Sequence, residues 1–354
     1  MKTATFDLDI ISPCFCGGAQ PKKTAEIRAP SIRGQLRWWF RTLGGFKSLA
    51  PRPVSKQEAI IFGSTAGDNG RAGKLTVRVR TNQTVSGVRD SQELEYPMFS
   101  GPAYLTFPIQ SREKDGHKSQ YNGRGVVISG SFQLCVTWRG SLSLWHDIHA
   151  LIGVFVHIGS LGYRGRRAMG GLAFNGQPPV NLPNALSHFS SPNAILIKKL
   201  DAKSSQDAIN VLGSWLKSCR SHGRSGQNDL EKQGPYFRFA ENDHDIGYQT
   251  PSARNASAFR PALGLPIIQR IRNATNNWDW NWNRGEKKGI GRFASPVILR
   301  PYRDEQNQWH ALVIFVDAHQ WPTGKEVYVN GQPRKVSLEL YEAMKHDSRL
   351  GNFL

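Results

Sequence analysis

Acidic residues are scarce. Against 46 lysines and arginines the 354-residue chain carries 27 aspartates and glutamates, a formal charge of +19 at pH 7. Such a field works against self-association and favours a polyanionic partner, with nucleic acid first; the plainer alternative is a charge that only solubilises. Long apolar runs are missing too: none approaches the ~20 residues that a membrane span requires. The basic residues are interspersed with glycines and aromatics rather than lining one amphipathic helix, which argues against an anionic membrane surface. There are four cysteines, Cys14, Cys16, Cys135 and Cys219, with no C-x-x-C pair. Their rarity argues against a disulfide framework and a structural zinc site, and for a reducing, cytoplasmic setting. The opening MKTATFDLDIIS has acids at Asp7 and Asp9 and alternates like a strand, so it does not read as a signal peptide.

What the chain does have is glycine, arginine and aromatic residues in clusters. Residues 3–12 predict a strand with Phe6, Leu8 and Ile10 on one face. The glycine pair Gly17–Gly18 turns the chain. A helix is then expected between Ser31, as N-cap after Pro30, and the stop at Gly44–Gly45. On it Ile32, Leu36, Trp39, Phe40 and Leu43 share a face, and Arg33, Arg37 and Arg41 form a ridge beside it. Strands are expected at 73–80 and 125–138, with a surface loop between them. A helix over 143–160 runs into GSLGYRGRRAMGG (159–171), which ends in a short strand. Strand, helix, strand, strand, helix, strand is the split βαβ, or ferredoxin-like, order. After a proline- and serine-rich stretch, a helix at 204–219, strands at 292–303 and 308–318 and a helix at 337–347 suggest a degenerate second copy. The fold class is therefore α+β, with two ferredoxin-like domains over 1–175 and 176–354.

The 159–171 loop combines close-approach glycines (Gly162, Gly165, Gly170, Gly171) with Arg164, Arg166 and Arg167 and the stacking face of Tyr163, a pattern suited to phosphate. It has neither the Walker lysine–serine pair nor GxGxxG before a helix, so a nucleotide cofactor is a poor fit. No cofactor or metal is expected. Cys14 and Cys16 could hold a soft metal only weakly, and the loop expected at Asp243, His244 and Asp245 reads as solvated rather than as a Mg²⁺ site. Trp278, Trp280 and Trp282 alternate beside Lys287, Lys288 and Arg292, which suits base stacking and subunit docking equally.

EIRAPSIRGQLRWWFRTL, IFGS at 61–64, the glycine–arginine loop and RFASPVILRP resemble the RAMP superfamily of CRISPR-associated RNA-binding proteins. Within it they are similar to the first RAMP subunit of the Cmr, or type III-B, effector complex. The resemblance covers most of residues 1–175 and a patch near 260–303. It implies two ferredoxin-like domains, binding of guide RNA near its 3′ end, contact with target RNA, or both, and assembly beside other RAMP subunits; the charge, which works against self-association, leads to the expectation of a monomer alone. The resemblance implies a non-catalytic role. The RNA-facing candidates are then Gly17, Gly18, Arg28, Ser31, Arg33, Arg37, Trp38 and Arg41 from the first motif. The loop contributes Tyr163, Arg164, Gly165, Arg166, Arg167, Gly170 and Gly171, and the late motif Arg292. For the Trp38–Trp39 pair core packing is the expectation. Some RNA-processing relatives use histidine without metal, so an endoribonuclease built on His146 and His149 is the rival; with His157 they sit among apolar residues and read better as core-edge groups. If the helix divides into core and ligand faces, Leu36→Ala should cost ~2–5 kcal/mol, while Arg37→Ala, an exposed charge, should cost almost nothing. Thermal melts of the two variants read that difference.

Overall fold

A computed structural model describes residues 1–18, 25–65, 70–81, 87–88, 94, 96–97, 100–112, 118–121, 125–220, 235–248, 256–265, 267–269, 278–281, 292–329 and 332–354. The alternating N-terminus forms β1 (Lys2–Ile10), with Phe6, Leu8 and Ile10 buried. The aromatic–arginine segment forms α1 (Ala29–Thr42), which buries Ile32, Leu36, Trp39 and Phe40. It begins before Ser31: Pro30 sits in its first turn and Arg28 takes the cap position without a side-chain hydrogen bond. Ser31 is a helical residue, because proline pre-sets the first-turn backbone and needs no donor there. The stop is as expected. Gly45 donates to Phe40 O (2.9 Å) and Gly44 to Arg41 O (3.1 Å), with Gly44 in the left-handed region at φ 76°, a glycine-closed helix end.

α2 (Val54–Phe62), β2 (Leu75–Thr81), β3 (Gly130–Trp138), α3 (Trp145–Ile158) and β4 (Leu172–Phe174) complete the first copy. Its sheet runs β4-β1-β3-β2, antiparallel throughout. Leu8 lies opposite Phe132 and Phe6 opposite Leu134, which sets the apolar side chains of both strands on one face. α3 is apolar nearly all round and buried from Ala150 to Ile158, as a helix covered on more than one side must be. Gly153 lets Val180 and Ala185 close on it: an added Cβ would lie 2.6 Å from Val180 Cγ1.

A second set follows in the same order: β5 (Ile195–Asp201), α4 (Ser205–Arg220), then, beyond α5 (Phe237–Tyr248), β6 (Val297–Arg303), β7 (Trp309–Val316), α6 (Glu339–Lys345) and β8 (Gly351–Asn352). Its sheet runs β6-β7-β5-β8, which is the order second, third, first, fourth, as in the first sheet. The ferredoxin-like topology occurs twice. Residues 110–112 and 118–121, expected as a surface loop, pair as short strands. Asp243 and Asp245 lie on helix α5 instead of a loop. Asp243 is buried and accepts from the backbone of Phe259 and Arg260 and from Arg260 Nε (3.0 Å).

Packing groups the chain into Met1–Gly213 with Ile298–Ile314 and Asn352–Leu354, and Ser214–Val297 with Phe315–Gly351. Within the second unit Asp347 collects donors: Trp215 Nε1 (2.9 Å), Tyr236 OH (2.8 Å) and Arg349 Nη2 (2.6 Å). Burial alone would raise its pKa; the Arg349, Tyr236 and Trp215 hydrogen bonds overcome that and hold it at about 2. A carboxylate depressed from 3.8 to about 2 contributes roughly 2 kcal/mol of stability above the higher value, lost as pH falls through the lower one. Denaturant unfolding between pH 5 and pH 2 should show that loss in the wild type, and Asp347→Asn should lack it.

Candidate nucleic-acid interface

Three segments meet around the loop at 159–171. Helix α1 reaches it through Trp38: the Arg166 guanidinium carbon lies 4.8 Å from the Trp38 ring centre, and Trp38 packs edge-on against buried Trp39. The turn at 14–18 reaches it through Phe15, whose carbonyl accepts from Tyr163 N (2.9 Å). Gly170 donates to Pro13 O (2.9 Å), and Ile11 donates to Gly171 O (2.9 Å).

The loop is braced across itself. Leu161 N donates to Gly170 O (2.8 Å), and Ser160 Oγ to Gly165 O (2.8 Å). Arg164 adopts φ 65°, a left-handed backbone that costs a non-glycine residue energy unless its surroundings hold it. Its side chain supplies a hold by donating from Nε to Leu105 O (2.7 Å). Arg167 Nη1 reaches Arg166 O at 3.3 Å. Burial lowers the pKa of Arg166. Tyr163 remains 41% exposed, so its ring presents a face to solvent.

Gly170 and Gly171 are buried. A Cβ at Gly170 would lie 1.8 Å from Leu161 O, and one at Gly171 2.1 Å from Arg300 Nη1. The close approach they permit is by the protein's own atoms. The stems are held from β6. Arg300, 1% exposed, donates through Nη2 to Val156 O (2.7 Å) and Leu172 O (2.6 Å). Neighbouring Leu299 donates to Arg166 O (3.2 Å) and accepts from Ala168 N (3.0 Å). Burial pushes the Arg300 guanidinium down to about 9.

On α1 the arginine ridge forms, but not as free charge. Glu58 of α2, its side chain 10% exposed, accepts from Arg37 Nε (2.7 Å) and Arg41 Nε (2.6 Å). Arg33 donates to Phe62 O at the end of the same helix. Desolvation would raise the Glu58 pKa; the Arg41 and Arg37 hydrogen bonds outweigh it and lower the pKa. Arg41 is raised in turn by its bond to Glu58. Arg28 is exposed, 3.9 Å from Glu26. Ser31 and Gly17 are exposed and Gly18 half-buried.

Arg292 is exposed and belongs to the second packing unit. Residues 278–281 form a strand, while Trp282, Lys287 and Lys288 lie outside the described residues. His149 packs between the rings of Phe6 (5.4 Å) and Trp145 (4.5 Å), and burial lowers its pKa. His157 is buried with Nε2 2.9 Å from Val180 O. Among the described residues no group of three or more His, Cys, Asp or Glu side chains is placed to hold a metal ion.

Residues 7–172 match the RAMP superfamily. The matched span runs from β1 to the start of β4 and is similar to that superfamily. Over 173 residues the chain is 27% identical to CRISPR system Cmr subunit Cmr1-1 of Pyrococcus furiosus, covering 47% of this chain and 46% of the relative. Over 66 residues it is 41% identical to Cmr subunit Cmr1-2 of the same organism, covering 18% and 35%. It thus spans less than half the length of either curated relative it matches. The crystal structure of apo Cmr1 from P. furiosus covers 92% of this chain and 89% of its own, with a TM-score of 0.51 at 15% identity, a likeness of fold.

Two residues that hold the site escape a reading of the motifs. Glu58 sits in KQEAIIF, and in a chain short of acids a glutamate leading into an apolar run is a natural partner for a basic ridge. Arg300 interrupts the apolar run PVILRP. The shared carboxylate also revises the expected effect of truncating Arg37. Arg37→Ala and Arg41→Ala should each cost less than about 1 kcal/mol, because the other arginine still covers Glu58. The double variant should cost about 3 kcal/mol, since it orphans a mostly buried charge. Adding Glu58→Gln to the double variant should recover part of that loss in thermal melts.

Proposed function

We propose that this chain is a non-catalytic RNA-binding subunit of a type III-B CRISPR (Cmr) ribonucleoprotein. It contacts guide RNA near its 3′ end, target RNA, or both, beside other RAMP subunits. It is a cytoplasmic monomer until assembled, needs no cofactor, and divides functionally near residue 175 into two ferredoxin-like domains. The observation that carries this reading is the junction of the arginine helix with the glycine–arginine loop through Trp38 and Arg166, in a chain of net charge +19. The match of residues 7–172 to the RAMP superfamily and the names of the curated relatives support the assembly.

In this reading Arg28, Arg33, Arg37, Arg41 and Arg167 meet phosphates, with Ser31 and the backbone at Gly17 and Gly18 close to the strand. Tyr163 stacks a base. Arg164, Gly165, Gly170 and Gly171 shape the loop, Arg166 and Trp38 join it to the helix, and Arg292 is a further phosphate contact from the second packing unit. Glu58 aims two guanidiniums, reducing the side-chain entropy lost when a phosphate arrives. The packing of His149 between Phe6 and Trp145 supports a structural histidine rather than a general acid or base.

Binding of a single-stranded RNA should weaken with salt, log K falling by roughly 0.7 per phosphate contact for each unit of log salt. Arg41→Ala with Arg167→Ala should make that slope shallower by about 1 to 1.5; an unchanged slope would put the RNA elsewhere. Incubation with repeat RNA in EDTA tests the endoribonuclease rival: defined cleavage that disappears in His149→Ala would replace the binding reading.

A further inference from the structure

Arg300 has properties that a packing residue does not need. Its side chain is buried, yet it carries a full charge, and Nε and Nη1 make no hydrogen bond among the described residues. One nitrogen, Nη2, does all the bonding, and it spans the two stems of the glycine–arginine loop. Val156 lies in the last turn of α3, just before the loop, and Leu172 opens β4, just after it. A helix has four carbonyls without partners in its last turn, and a cation there also meets the negative end of the helix dipole. The residue before Arg300 grips the middle of the same loop through both of its backbone groups. Arg303 adds bonds to Asp9 Oδ2 (2.7 Å) and Phe174 O (3.0 Å). β6 is an edge strand of its own sheet, so its outer edge is free to serve the loop.

We propose that Arg300, from the second ferredoxin-like fold, is a positioning residue for RNA recognition by the first. By tying both stems of the 159–171 loop to one guanidinium, it fixes the presentation of Tyr163 and the loop arginines without touching RNA itself. The proposal rests on the RNA-binding reading above.

The test compares wild type, Arg300→Met and Arg300→Lys by hydrogen exchange over 159–172 and by binding of a single-stranded RNA probe. Methionine keeps the volume and removes the donor; lysine restores one cationic nitrogen that can reach the same two carbonyls. Arg300→Met should exchange at least tenfold faster in this segment and bind RNA at least tenfold more weakly. Arg300→Lys should recover most of both, which loss of packing alone would not do. Unchanged exchange in Arg300→Met, faster exchange with RNA affinity intact, or a lysine variant as impaired as the methionine one would each overturn the proposal. If Arg300→Met does not fold, Gly171→Ala takes its place, because its methyl displaces the guanidinium with the charge retained; the same two losses are expected. A wild type without RNA affinity would overturn the functional reading and this proposal's RNA half. The exchange data alone then decide whether Arg300 holds the loop.

Discussion

A helix that ends inside a protein must find donors for the carbonyls of its last turn, since each one left bare costs ~1–3 kcal/mol. α3 is such a helix, buried through its C-terminus. A terminal backbone carbonyl near this end is met by a guanidinium from another sheet, and that solution has consequences in every direction. The donor is charged, so its surroundings accept a desolvated cation. It is long, so β6 can lie far enough away for Gly171 to pass between. It is forked but used through one nitrogen, so the strand that follows the loop is bound by the atom that binds the helix before it. Loop, helix end, strand start and second sheet become one arrangement.

The same logic governs the other arginines. A net charge of +19 invites the picture of cations waving in solvent, yet the partners described for the cluster are a buried carboxylate, several carbonyls and an indole ring. Each oxygen partner consumes one or two of the five N–H groups of a guanidinium, the indole ring consumes none, and the rest are left. Charge is retained while orientation is restricted, which suits recognition of an anion with fixed geometry better than a lysine-rich surface would. The left-handed backbone at Arg164 belongs to this arrangement: the chain accepts a strained residue where its side chain is anchored to Leu105 O.

Much of this was legible from residue spacing. Alternation in β1, the apolar face of α1 and the glycines that close it are local properties, and the βαββαβ order of the first copy followed from them. The second copy was only partly visible. β5 (ILIKKLD) has lysines within its run and half-buried neighbours, so it lacks clean alternation, and long intervening segments separate α4 from β6. The helix at Phe237–Tyr248 was obscured by its charges, read as solvated when Asp243 in fact answers Arg260 in the interior. Glu58 and Arg300 could not be assigned by any local pattern. Their partners lie 17 to 21 and 128 to 144 residues away, and only the folded chain brings them together.

That last separation has a consequence in time. The first sheet can close once β4 has been synthesised, but Arg300 follows Leu172 by 128 residues. At ordinary rates of translation this is a delay on the order of ten seconds. During that interval the Val156 and Leu172 carbonyls lack the Arg300 guanidinium, and the loop has only its own cross-bonds and those to earlier segments of the chain. The emerging protein therefore passes through a stage in which its most cationic loop is present but unfinished, and completion of the second sheet is also the maturation of the first.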